Sequence, residues 1–95
     1  MYILYVEFTC HPGKREAFVE RIRSEGILSG IRAEDGCLLY EYYFSEGDPK
    51  ELLLVERWTS EKHQQIHINQ PHMDRMREFK DEYVADTRLR SLEII

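Results

Sequence analysis

Apolar and polar positions change period along this chain, and each change predicts an element. Residues 2–10, YILYVEFTC, are rich in β-branched and aromatic types and predict a strand. His11-Pro12-Gly13 ends it, because proline lacks a ladder donor and glycine admits a turn. From Lys14 the period becomes helical. Phe18 and Ile22 lie four apart, Ala17 and Val19 widen the stripe, and Glu16, Glu20, Arg21 and Arg23 fill the other face. Ile27, Leu28 and Ile31 carry this helix to about Arg32, with a bend left open at Gly26 and Gly30. Glu34-Asp35-Gly36 reads as a turn. Residues 37–45, CLLYEYYFS, predict a strand with Leu38, Tyr40, Tyr42 and Phe44 on one face and Leu39, Glu41 and Tyr43 on the other.

After the polar loop Glu46-Gly47-Asp48-Pro49, residues 51–58, ELLLVERW, predict a third strand with Leu52, Leu54, Glu56 and Trp58 on one face. Thr59 or Ser60 then caps a helix running to about Ile68, and Pro71 suits the first turn of another. Met73, Met76, Phe79 and Tyr83 give that second helix its core stripe, with its end at Asp86-Thr87. Residues 88–95, RLRSLEII, predict the last strand. The order βαββαβ with one tight hairpin predicts a ferredoxin-like α+β fold over 1–95, one domain, with an antiparallel sheet and both helical segments on one face. The middle strands are apolar on both faces, so a homodimer packed through the open sheet face is expected.

Composition narrows the partners. A net charge of −5 with dispersed Lys and Arg argues against nucleic acid or an anionic membrane surface. No apolar run reaches the ~20 residues of a membrane span. Two cysteines, Cys10 and Cys37, without a signal-peptide pattern suggest reduced thiols and a cytoplasmic protein.

The chemistry concentrates in 55–73, VERWTSEKHQQIHINQPHM, with His63, His67, His72, Trp58 and Glu56. His63 and His67 share a helix face at i, i+4. A metal reading lacks the glutamate of the H-E-x-x-H motif and a visible further ligand, so no metal is expected. A histidine serving as general base or donor fits the imidazole pKa; boundary side chains are the bland alternative. Glu56, on an apolar strand face, needs a partner or an altered pKa. It is a poised acid, an acceptor for a histidine, or an ion-pair partner of Arg88 or Arg90. Trp58, Tyr40 and Tyr42 are core, or the wall of a pocket for a flat ligand.

The segments EDGCLLY (34–40), VERWTS (55–60) and HQQIHINQPHM (63–73) together resemble the antibiotic biosynthesis monooxygenase family, most of all its small bacterial quinol monooxygenases. The resemblance implies a dimeric α+β barrel of two ferredoxin-like subunits. It implies oxidation of a quinol or polycyclic phenol by O₂ with no metal or flavin cofactor. In that reading His67 or His72 is the catalytic base or donor and Glu56 orients it, while Trp58, Tyr40, Tyr42 and His63 bind a small aromatic substrate. Haem-degrading relatives use an Asn on the first strand, which this chain lacks. A relative isomerising a phosphorylated sugar shares H-x-x-x-x-P-H, and a non-catalytic small-molecule-binding dimer is a further alternative.

Overall fold

A computed structural model describes residues 1–94. Its elements are β1 (Tyr2–Cys10), α1 (Arg15–Ser24), α2 (Ile27–Arg32), β2 (Cys37–Phe44), β3 (Glu51–Trp58), α3 (Glu61–Ile68), α4 (Pro71–Phe79), a 3₁₀ turn (Lys80–Glu82) and β4 (Val84–Glu93). The strands form one antiparallel sheet in the order β2-β3-β1-β4. This is the expected ferredoxin-like α+β arrangement, with β1 and β3 central because each closes a crossover.

Strand alternation decides what each face carries. Toward the helices, β1 turns Tyr2, Leu4, Val6, Phe8 and Cys10, and β3 turns Leu52, Leu54, Glu56 and Trp58, all of them buried. Phe18 and Ile22 of α1, Ile31 of α2 and Phe79 of α4 close over them. Burying such side chains stabilises by about 1.5–3 kcal/mol each, which is what holds short helices to the sheet. The opposite face carries Tyr5, Glu7, Leu53 and Tyr43, crossed by Arg88, which pairs with Glu51 at 3.0 Å and Asp86 at 2.8 Å. No helix among the described residues is long and apolar enough to cross a membrane. Both cysteines are free.

Three expectations about elements need correction. The helix from Lys14 to Arg32 is two helices, because Gly26 takes φ +76°, a left-handed conformation that stops α1 and starts α2 in a new direction. Leu38 does not share the face of Tyr40. The register shifts between Cys37 and Leu39, and Leu38 is left 57% exposed on the irregularity. The last helix stops at Phe79 rather than at Asp86, and β4 starts at Val84 rather than at Arg88. Here β1 decides: its C-terminal half pairs Thr9 with Asp86 and Cys10 with Val84, and the Tyr83 carbonyl accepts from the His11 amide at 2.8 Å. Sheet pairing thereby overrides the helical spacing that continues through Tyr83. Ile95, the end of the predicted last strand, lies outside the described residues.

Candidate functional site

Between the helix-facing side of the sheet and the α3–α4 pair lies a cavity of about 350 Å³. Leu4, Val6, Phe8 and Leu54 form its apolar floor; Met73 and Met76 wall it from α4, and Tyr40 and Tyr42 from β2. Glu56, Gln64 and His67 supply polar groups at one end, and Arg77 and Lys80 of the α4 side line it as well. A larger hollow, about 440 Å³, lies on the other face of the sheet beside Glu7, Glu51 and Arg88. Its polar groups are half-buried and already ion-paired to one another, so the smaller cavity has the better claim to chemistry.

The polar corner starts on β3. Residues i and i+2 of a strand point the same way, so Glu56 and Trp58 both enter the helix side. The Trp58 indole Nε1 donates to Glu56 Oε1 at 2.9 Å, and both side chains are buried, Trp58 completely. Burial lifts the Glu56 carboxyl from its ordinary range to about 7; the indole hydrogen bond opposes the rise and the negative charge of Glu34 adds to it. Of the alternatives for Glu56, the ion pair with Arg88 or Arg90 does not form. In the register, Glu56 lies level with Leu4 and Leu4 with Ser91, so the arginines point to the opposite face, where both reach Glu7.

From α3, His67 enters the same corner with no exposed surface. Its ring lies over Trp58 at 4.7 Å between centroids and meets the edge of Tyr40 at 5.6 Å. His67 Nδ1 is 2.8 Å from Glu34 Oε2. A carboxylate only accepts, so Nδ1 carries the proton and Nε2 the lone pair. That Nε2 is buried and has no hydrogen-bond partner among the described residues. Burial lowers the His67 pKa, with Glu34 pulling the other way, which favours the neutral ring. Tyr40 and Tyr42 stay protonated phenols, since burial raises both pKa values far above the usual range.

Glu34 is the residue that sequence reasoning missed as a functional group. It follows α2 in the Glu34-Asp35-Gly36 turn, and its Oε2 also takes His72 Nε2 at 2.8 Å. His72 reaches it from the first turn of α4 by lying against Gly30, where a Cβ would sit 3.1 Å from the imidazole Nδ1. Nothing in spacing joins Glu34 to residues 33 and 38 positions later. The available signal was that the family-like segment 34–40 begins with it.

The remaining candidates are placed around the cavity or away from it. Tyr40, Tyr42, Glu56 and His67 line it, whereas Trp58 lies behind His67 and His72 behind Glu34. His63 stands in the first turn of α3, outside the cavity lining: its backbone N–H donates to the Ser60 Oγ that caps the helix, its Nδ1 is 2.7 Å from that same Oγ, and its Nε2 is 3.4 Å from exposed Asp35. Among the described residues, Glu34, His67 and His72 form a group with ligand atoms within 4.8 Å of one another. Turn geometry thus supplies a carboxylate that the HQQIH motif lacks. The 2.8 Å spacings are those of hydrogen bonds, however, and ligands on one tetrahedral zinc lie about 3.4 Å apart. Holding a cation would require the group to spread.

The family model described as antibiotic biosynthesis monooxygenase matches residues 1–78. No curated protein matches the sequence. Solved structures with the same fold include one from Mycobacterium tuberculosis, 26% identical, with a TM-score of 0.84 over 99% of this chain and 94% of the other. Another, from Pseudomonas aeruginosa, is 23% identical, with a TM-score of 0.85 over 99% and 93%. A third, named antibiotic biosynthesis monooxygenase, is 18% identical, with a TM-score of 0.85 over 100% and 99%.

Proposed function

This chain belongs to the antibiotic biosynthesis monooxygenase family, and we propose that it oxidises a quinol or polycyclic phenol with O₂ in the cavity beside His67, with residues 1–95 acting as one domain. The observation that carries the proposal is the unpartnered, buried Nε2 of His67, opposite an Nδ1 held by Glu34. This is a base whose tautomer is set and whose lone pair awaits a donor. A phenolic hydroxyl in the cavity supplies one. Proton transfer to Nε2 leaves an electron-rich anion. It passes an electron to O₂, and the resulting radical pair joins through a C–O bond. Loss of water then breaks the O–O bond. A quinol and O₂ become a hydroxyquinone and water, so the substrate is its own reductant and the scheme calls on no cofactor. Apolar walls keep water from the anion. Glu56, near neutrality in its titration, is the second proton carrier, and Trp58 fixes its position. Glu34 and His72 orient His67 from behind.

A homodimer through the open sheet face belongs to the same proposal. Tyr5 and Tyr43 are 41% and 48% exposed there, a costly surface for a lone subunit. Sedimentation at micromolar concentration is expected to give a dimer; a species of 11.4 kDa alone excludes it. The oxidation is tested by O₂ uptake with a panel of quinols in the presence of a chelator. Uptake should persist with chelator and be lost in His67→Asn, with the circular dichroism of the fold retained. Unchanged uptake in that variant removes His67 as the base.

A further inference from the structure

The two ends of the cavity differ in charge. At one end are Glu56 and His67; at the other, Lys80 leaves the C-terminus of α4 and turns inward, its ammonium 5.4 Å from the centre of the Phe8 ring, while Arg77, which also lines the cavity, is held by Asp74 and the Ile68 carbonyl. Lys80 is half-buried and has neither an ion pair nor a side-chain hydrogen bond among the described residues. Arg15, Arg21, Arg23, Arg32, Arg75, Arg77, Arg88 and Arg90 each have a carboxylate within reach. Lys14, Lys50, Arg57 and Lys62 have none, but all four are exposed to water. Lys80 is therefore the one side-chain cation among the described residues that is partly withdrawn from water without an acid within ion-pair distance. Desolvation lowers its pKa accordingly. The helix C-terminus favours a cation in this turn of α4. It does not account for a head group directed over a buried ring, because a lysine covering apolar surface normally extends its charge to solvent.

We propose that the cavity takes an amphipathic substrate, a fused aromatic phenol or quinol that carries a carboxylate or other acidic group, with Lys80 binding the anion. The proposal rests on the reading of the cavity as the substrate site. Sheet register sets the length. Glu56 is level with Leu4, and Lys80 lies over Phe8 four residues along the same strand, about 13 Å away at the rise of an extended chain. Leu4, Val6 and Leu54 floor the interval without a polar side chain. A bicyclic ring spans it when the acid sits on a short side arm. An acid at the ring's far end then aims the phenol at His67 and forbids the reversed pose, which would bring the anion against Glu56.

The test is a calorimetric titration with a matched pair: a naphthol bearing a propionate arm, and the same naphthol with the acid reduced to an alcohol. The acid should bind at least about tenfold more tightly, the scale of one partly desolvated ion pair. Lys80→Met should bring the two affinities together, and Lys80→Arg should keep them apart. Equal affinities in the parent protein, or a preference that survives Lys80→Met, overturn the proposal. The corresponding naphthoquinols separate it from the oxidation itself. Lys80-dependent binding without O₂ uptake leaves the anion site standing and removes the oxidase reading. O₂ uptake that is indifferent to the acid does the reverse.

Discussion

His63 and His67 stand one helical turn apart on α3 and meet the same turn, Glu34-Asp35-Gly36, yet their surroundings differ completely. His63 bonds Ser60 and approaches Asp35, whose side chain is 98% exposed. His67 lies between Trp58 and Tyr40, bonds a Glu34 side chain only 12% exposed, and leaves one nitrogen unpaired. The first is a half-exposed side chain beside the Ser60 cap, with a protein partner at each ring nitrogen. The second is a polar group kept from water with half its capacity unused, an arrangement that costs stability unless a ligand completes it. Residue type and helix face are shared, so depth beneath the sheet and α4 makes the difference.

Mutation should break the comparison unevenly. His67→Asn keeps a polar side chain but removes the base, and kcat/KM is expected to fall by about 10²–10⁴. Glu34→Gln, which weakens the orientation of His67, should lower it by about 10–100-fold and lower the pH of the acid limb, because Glu34 raises the His67 pKa. An unmoved limb would mean that Glu34 is only structural.

Glu56→Gln comes next and reads out on stability. The folded carboxyl titrates near 7 and the unfolded one near 4.5, so the fold holds the extra proton between those values. Its contribution is present in full below 4.5 and is lost as the pH rises through 7, about 3 kcal/mol in all. Denaturant unfolding should therefore show the parent losing stability over that window, with Glu56→Gln flat across it and more stable at pH 8. Parallel profiles would show that Glu56 is not buried as an acid. His63→Ala should have the smallest effect. Losing the Ser60 contact costs roughly 0.5–1 kcal/mol, and kcat/KM should match the parent. A large loss of activity there would place His63 back among the substrate-binding groups.

Much of this architecture is legible in local pattern. Period-two apolar runs mark β1 and β3 to the residue, Thr59-Ser60 and Pro71 mark the starts of α3 and α4, with Ser60 the actual cap, and element order selects the ferredoxin-like sheet. The same alternation puts Glu56 and Trp58 on one face, but the hydrogen bond between them was not among the partners the sequence offered for Glu56. Local pattern fails where a partner far along the chain decides. Nothing near Val84 says that β1 will claim it from the helix, and nothing near Leu38 announces the shift in register.

The site divides along the same line. The sequence by itself determined that histidines, a carboxylate and aromatic rings would cluster where β3 runs into α3, because those residues are neighbours in the chain and their directions follow from strand and helix periods. Only the tertiary structure decided that His67 is the buried one, that Glu34 joins it to His72, and that Lys80 faces the cavity. Each depends on how closely segments remote in sequence approach one another. Burial and hydrogen bonding arise from that approach, and they separate one histidine from another of the same type four residues away.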